Sequence, residues 1–187
     1  MAQNRWNPNL CHDNLALIGP DRLIVQFIKG TWGNCSVFAE RPISTSGIFY
    51  YEVKILAKPA HGHIHIGLAT RQMPINRRVG YHRGTYAYES DGTFWGHEVG
   101  DYQISAGVHP FIVGKPPFDV GDVVGCGVNL ATRQIIYTRN GQRLDTTNLF
   151  VASTHFLFPC VSLYYTGDKI EANFGPADFQ WNIADGI

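Results

Sequence analysis

The stretch Gly121–Gly141, GDVVGCGVNLATRQIIYTRNG, decides the fold. Val123 to Asn129 is apolar and punctuated by glycine, and a short polar turn follows. Gln134 to Thr138 is β-branched and aromatic, and the run ends at Asn140-Gly141. That dipeptide favours positive φ at both turn positions, which suits the twist of a tight hairpin. The same punctuation recurs outward in both directions. Leu23 to Phe27 follows Gly19-Pro20-Asp21. Gly47 to Ile55, GIFYYEVKI, is strongly β-prone and stops before Lys58-Pro59. His63 to Ala69 alternates polar and apolar through its first half, as a half-buried strand does. Tyr86 to Tyr88 leads into the turn Ser90-Asp91-Gly92, and Phe94 to Gly96 follows. Phe158 to Leu163 and Ile170 to Phe174 complete the set. Strand blocks at this spacing predict an all-β, two-sheet antiparallel sandwich. No convincing amphipathic helix interrupts them, although Asn148 to His155 has room for one turn. Gly100 to Pro117 carries no regular pattern and reads as a surface loop.

Composition bounds the function. At 187 residues, one domain is the default. The formal net charge is zero, so no global field draws the chain to nucleic acid or anionic lipid. Twenty Gly and ten Pro favour turns and short strands over helices. No apolar run reaches the ~18 residues that a spanning helix needs, so no membrane contact is expected. The start, MAQNRWNPNL, lacks the apolar segment of a signal peptide. A leader removed before Met1-Ala2 is compatible with it.

The four cysteines stand at 11, 35, 126 and 160, without a C-x-x-C pair. That spacing argues against a zinc ribbon. Cys126 and Cys160 fall in apolar runs, where Cys acts as a small hydrophobe. Four free, buried or half-buried thiols are expected, in keeping with a reducing environment.

The blocks GIFYYEVKI, HIGLAT, GTYAYESDGTFWG, the Gly121–Gly141 hairpin, LFPCVSL and IEANFGP, in this order, resemble the signature of a SPRY (B30.2-like) domain. The resemblance runs from about Leu23 to Phe179. It implies a bent β-sandwich over residues 21–187, with residues 1–20 as an N-terminal extension packing on it. WNPNLCHDNLALIGPDRLIV, VFAERPI and GVNLATRQIIYTRNGQRLDT further resemble the Ran-binding-protein-like secreted SPRY effectors of potato cyst nematodes. That narrower likeness implies a non-catalytic, monomeric module. It would be secreted by a parasite and delivered to the host-cell cytoplasm. There it would bind host proteins, immune receptors among them, and modulate immunity. The alternative is a resident cytoplasmic SPRY adaptor or scaffold for substrate recognition, for example in ubiquitination. Neither reading needs a cofactor or a metal.

The resemblance also implies a site. SPRY domains that bind extended peptides use loops at one end of the sandwich. Matched by motif, these are Arg41-Pro42-Ile43-Ser44, the aromatic Tyr81, and Tyr164-Tyr165-Thr166. Partner-binding roles are therefore expected for Arg41, Pro42, Ser44, Tyr81, Tyr164, Tyr165 and Thr166, converging at one end. Glu40 stands where those members commonly carry Arg, and Thr166 where they carry Gly. From the residues alone, adjacent Tyr164 and Tyr165 put one ring toward the core and one outward, beside a turn. Exposed loop aromatics near an Arg are usual anchors of binding. The competing reading is that both rings pack the sandwich edge.

Other candidates carry less. His61, His63 and His65 alternate onto one strand face and suggest a metal, but no acid or Cys is fixed beside them. A solvated polar face explains them as well. Arg71, Arg77, Arg78 and Arg83 crowd one region with Tyr81, as a solvated face or as a patch for an acidic partner. Gly107 to Gly114-Lys115 fails as a phosphate loop, since Pro116 replaces Ser/Thr. Asp91 suits its Ser-Asp-Gly turn, and with Glu98 it makes no recognisable catalytic motif. Asn34-Cys35-Ser36 is a glycosylation sequon if exposed in a secretory route.

Overall fold

The computed structural model describes residues 2–97 and 110–186. Glu98, Gly107 and most of the Gly100–Pro117 segment lie outside that range. Fourteen strands are described: β1 (Trp6–Cys11), β2 (Leu15–Ile18), β3 (Ile24–Phe27), β4 (Trp32–Ala39), β5 (Ile48–Ala57), β6 (Ile64–Thr70), β7 (Tyr86–Glu89), β8 (Thr93–Trp95), β9 (Phe111–Ile112), β10 (Val123–Asn129), β11 (Ile135–Arg139), β12 (Gln142–Arg143), β13 (Leu157–Tyr165) and β14 (Lys169–Asn173). A single 3-10 turn, Ile183–Gly186, is the only helical piece among the described residues. Asn148 to His155 forms turns and a bridge between Gln134 and Phe150 in place of a helical turn.

The strands form two seven-stranded sheets, ordered β1-β4-β13-β6-β7-β8-β9 and β12-β11-β10-β5-β14-β3-β2. Neighbours pair antiparallel throughout; the β4/β13, β13/β6, β6/β7 and β10/β5 ladders carry most of the register. Asn140 and Gly141 have φ of 49° and 76°, and their tight turn joins β11 to β12. Within residues 1–20, read from sequence as the N-terminal extension, β1 edges the first sheet and β2 the second.

Alternation along each strand sends one set of side chains into a shared core. Val37 and Cys35 from β4, Val161 and Leu163 from β13, and Ile64 and Ile66 from β6 meet Tyr51, Val53, Cys126 and Tyr137 from the facing sheet. All four cysteines are free, three of them buried and Cys11 half-buried. Burial pushes the Cys35 thiol up to about 11, well away from thiolate chemistry at neutral pH.

Both outer faces are also covered. On the second sheet the C-terminal segment brings Trp181 and Phe179 onto Tyr50 and Ile136. It is tied down by the buried Glu52 carboxylate, which accepts from Gln180 N at 2.9 Å, Trp181 N at 3.1 Å and the Tyr50 hydroxyl at 2.9 Å. On the first sheet, residues 71–85, between β6 and β7, lie over β4, β13 and β6. Met73 and Val79 pack there on Phe38, Ala69, Ala87, Phe158 and Cys160.

Candidate functional site

Residues 71–85 are fixed by two serines in mid-sheet. Ser36 on β4 and Ser162 on β13 share a 2.7 Å hydrogen bond. Ser36 Oγ also donates to the Arg77 carbonyl, and Ser162 Oγ accepts from Val79 N at 2.9 Å. Both serines are buried, so each must find such partners. Arg78 lies between these two anchors, and Tyr81 follows. The Arg78 guanidinium sits 3.9 Å from the centre of the Tyr81 ring. Tyr81 in turn lies 4.2 Å from Trp95 of β8. Burial raises the Tyr81 phenol above its ordinary range, against a downward pull from Arg78.

Beneath these rings lies a charged cluster. The β6/β7 register sets His65 opposite Glu89. Glu89 Oε1 stands 3.0 Å from His63 Nδ1 and 3.3 Å from His65 Nε2. Its other oxygen accepts from Trp95 Nε1 at 2.6 Å. Burial pushes the Glu89 carboxyl up, but hydrogen bonding and charge from His65, with Trp95 and His63, outweigh it and hold it at about 2. An acid held so low is a structural anion at neutral pH, poorly suited to general-base work.

The aromatic surface continues along β13. Tyr164 makes edge contact with His63 at 5.5 Å, and the Arg78 guanidinium is 5.9 Å from its ring. Trp32, at the start of β4, lies 6.0 Å from Tyr164 and is 65% exposed. Tyr165 packs against His61 at 5.8 Å. Beside this ledge opens a groove of about 350 Å³, lined by Asn34, Arg77, Arg78, Tyr81, His82 and Arg83. An exposed indole, half-buried phenols and a stacked guanidinium beside a groove provide contact area and charge for a protein ligand.

The expected site divides. Tyr81, Tyr164 and Tyr165 come together with Trp32, His63 and Arg78; Arg41, Pro42 and Ser44 do not join them. The cause is the antiparallel register of β4 and β13. Tyr165 pairs with Trp32 at one end, whereas Arg41 follows Ala39 at the other, where Ile43 N donates to the Leu157 carbonyl. The length of β4, about 25 Å at ~3.3 Å per residue, separates them. At that far end Arg41 is held by the N-terminal segment, through both main-chain atoms to the Asn4 side chain and its guanidinium to Ala2 O. Glu40 is taken by Arg5 and Arg22, at 3.0 and 2.7 Å.

Further corrections concern side-chain direction. Neither Tyr164 nor Tyr165 enters the core, because a bulge between Leu163 and Tyr165 breaks the alternation. Both of their amides donate to Asp168 Oδ2 at 3.0 Å, and Thr166 N donates to Thr31 O at 3.1 Å. The histidine face is solvated only in part: His61 is exposed and His63 half-buried, but His65 is fully buried, and Glu89 is the acid partner that sequence spacing did not supply. Arg71 leaves the arginine group to lie over the Phe158 ring at 4.3 Å. Asn34 of the sequon is half-buried within β4 and not in an exposed loop. Trp32 and Glu89 were missed by sequence reasoning; the β6/β7 pairing, once known, points straight to Glu89.

The comparisons agree with this architecture. The family model described as "SPRY domain" matches residues 48–177. Ran-binding protein 9 of Xenopus laevis is 38% identical over 81% of this chain and 26% of its own length. Ran-binding protein 10 of Danio rerio is 36% identical over 96% of this chain and 28% of its own. The chain thus spans about a quarter of the length of the curated relatives it matches. Among solved structures, a human SPRY domain superposes with a TM-score of 0.68 at 21% identity, covering 89% of this chain and 98% of that one. With most of its length matched by that family model, this chain belongs to the SPRY domain family.

Proposed function

We propose that this chain is a non-catalytic protein-interaction module that grips a segment of a partner protein on the ledge formed by Trp32, Tyr164, Tyr165, Tyr81 and Arg78. The observation that carries the reading is Trp32. An indole 65% exposed next to a second aromatic ring is costly to leave in water and is a typical binding anchor. The Ran-binding protein relatives favour a resident cytoplasmic adaptor or scaffold over a secreted effector. Its partners are proteins or extended peptides, bound by a monomer. A secretory leader encoded upstream of Gln3 would return the reading to the effector, with host proteins as the partners.

The test is selection of a random linear peptide library on the folded chain, followed by titration of the selected peptide. Trp32→Ala is expected to weaken binding about thirtyfold, the usual loss at an aromatic anchor, with an unchanged melting temperature. Equal affinity in wild type and variant overturns the ledge.

A further inference from the structure

The groove beside the ledge holds three arginines that pair with no acid among the described residues. No carboxylate among the described residues pairs with Arg77, Arg78 or Arg83, although the whole chain has a formal net charge of zero. Arg77 and Arg83 are exposed, and Arg78 is half-buried across the Tyr81 ring. Glu89, beneath the Tyr81 and Trp95 rings, is already shared by His63, His65 and Trp95. Among the described residues, the groove therefore has positive charge without an acid partner beside an aromatic wall.

Two polar atoms of its lining residues also lack partners. Asn34 Oδ1 and Arg78 Nε are both shielded from solvent and make no hydrogen bond with the described residues. Unmade bonds at buried groups are costly, and native structures rarely leave them without a reason. One is an acceptor and the other a donor. A ligand that satisfies both must itself present one donor and one acceptor, and the neighbouring Arg77 and Arg83 favour an acceptor that is anionic. Inorganic phosphate is chiefly an acceptor, and a nucleic-acid strand adds donors only through its 2′-hydroxyls and bases. An acidic peptide offers both, an Asp or Glu carboxylate and a main-chain amide.

We infer that this groove selects an acidic segment of the partner protein. An Asp or Glu carboxylate bonds the Arg78 guanidinium, with Arg77 and Arg83 supplying further charge. A main-chain N–H of the same segment donates to Asn34 Oδ1 once both side chains turn into the groove. This rests on the ledge being the protein-binding surface and adds the chemistry of what that surface accepts. Guanidinium suits this role because its planar donors fit a carboxylate with two parallel bonds.

The experiment uses the same random linear peptide library on the folded chain, with three readouts. Selected peptides are expected to be enriched in Asp and Glu. Binding should weaken at least about tenfold in the Arg77→Gln/Arg83→Gln double variant, as expected when charge complementarity is removed. Titration of the selected peptide should shift the Asn34 side-chain amide and the Arg78 Nε–H signals in a nitrogen–proton NMR spectrum. Enrichment of neutral peptides that still depend on Trp32 overturns the acidic preference and leaves the ledge standing. No enrichment at all overturns both. Tighter binding of a single-stranded RNA homopolymer to the same arginines also overturns the inference, because it assigns the groove to phosphate.

Discussion

Trp32 of β4 and Tyr165 of β13 are paired across the ladder, at the opposite end of β4 from Arg41. The pairing decides which residues act together. A ligand on the Trp32 end meets Tyr164, His63, Arg78 and Tyr81, and it must span the length of the strand to reach Arg41.

Arg41→Ala therefore leaves affinity for a ledge-bound peptide within about twofold, whereas Tyr164→Ala costs ~2 kcal/mol of binding, as at other aromatic anchors. Isothermal titration of both variants checks the contrast.

Arg78→Ala removes a cation stacked on Tyr81 and within reach of Tyr164. A partly exposed contact of this kind contributes ~0.5–1 kcal/mol to stability, so the melting temperature falls by only a few degrees. The loss in peptide affinity is larger, because the same guanidinium faces the groove. Thermal melts and titration of one variant separate the two effects.

Glu89 gives a pH signature. Its carboxyl is depressed from 4.5 to about 2 in the folded state. A depressed acid stabilises the fold above its unfolded value, and that stability is lost as pH falls. The contribution is complete above about pH 4.5 and disappears on acidification toward pH 2. It is worth ~2 kcal/mol once solvent screening is discounted. Because Glu40 and Asp122 are also held low, urea unfolding between pH 6 and pH 2 should show a drop in wild type that exceeds that of Glu89→Gln by about this amount. In Glu89→Gln stability at pH 6 is already lower.

Glu52 organises the other outer face. Truncation by Glu52→Ala strips acceptors from two main-chain amides and one phenol. The Tyr50 hydroxyl keeps Thr138 at 2.6 Å, so the cost falls on the main-chain amides, about 1–3 kcal/mol for a buried donor left unpaired. Amide exchange of Gln180 and Trp181 should accelerate markedly, while the β4, β13 and β6 amides change little.

Much of the fold was legible. β5, β10 and β11 announce themselves by β-branched and aromatic runs between glycines, and Asn140-Gly141 takes the positive φ values its sequence demands. β4 did not. Trp32-Gly33-Asn34-Cys35-Ser36 looks like a turn, and its outward positions Ser36 and Phe38 are buried under residues 71–85, so no polar-apolar alternation remains. The site was half legible. Tyr81, Tyr164 and Tyr165 came from motif matching and do meet. Arg41, Pro42 and Ser44 lie at the other end of the sheet, because motif order says nothing of which strand end a loop caps. His65 was misread because a polar residue facing outward reads as solvated unless the covering loop and its Glu89 partner are known.

The central claim is that the Trp32 end of the first sheet is where a partner protein binds. The most direct measurement is hydrogen exchange of the folded chain with and without the selected peptide. The account predicts slowed exchange confined to residues 31–36, 77–83 and 163–166. Protection confined to residues 41–46 and 153–158, at the opposite end of β4 and β13, would contradict it.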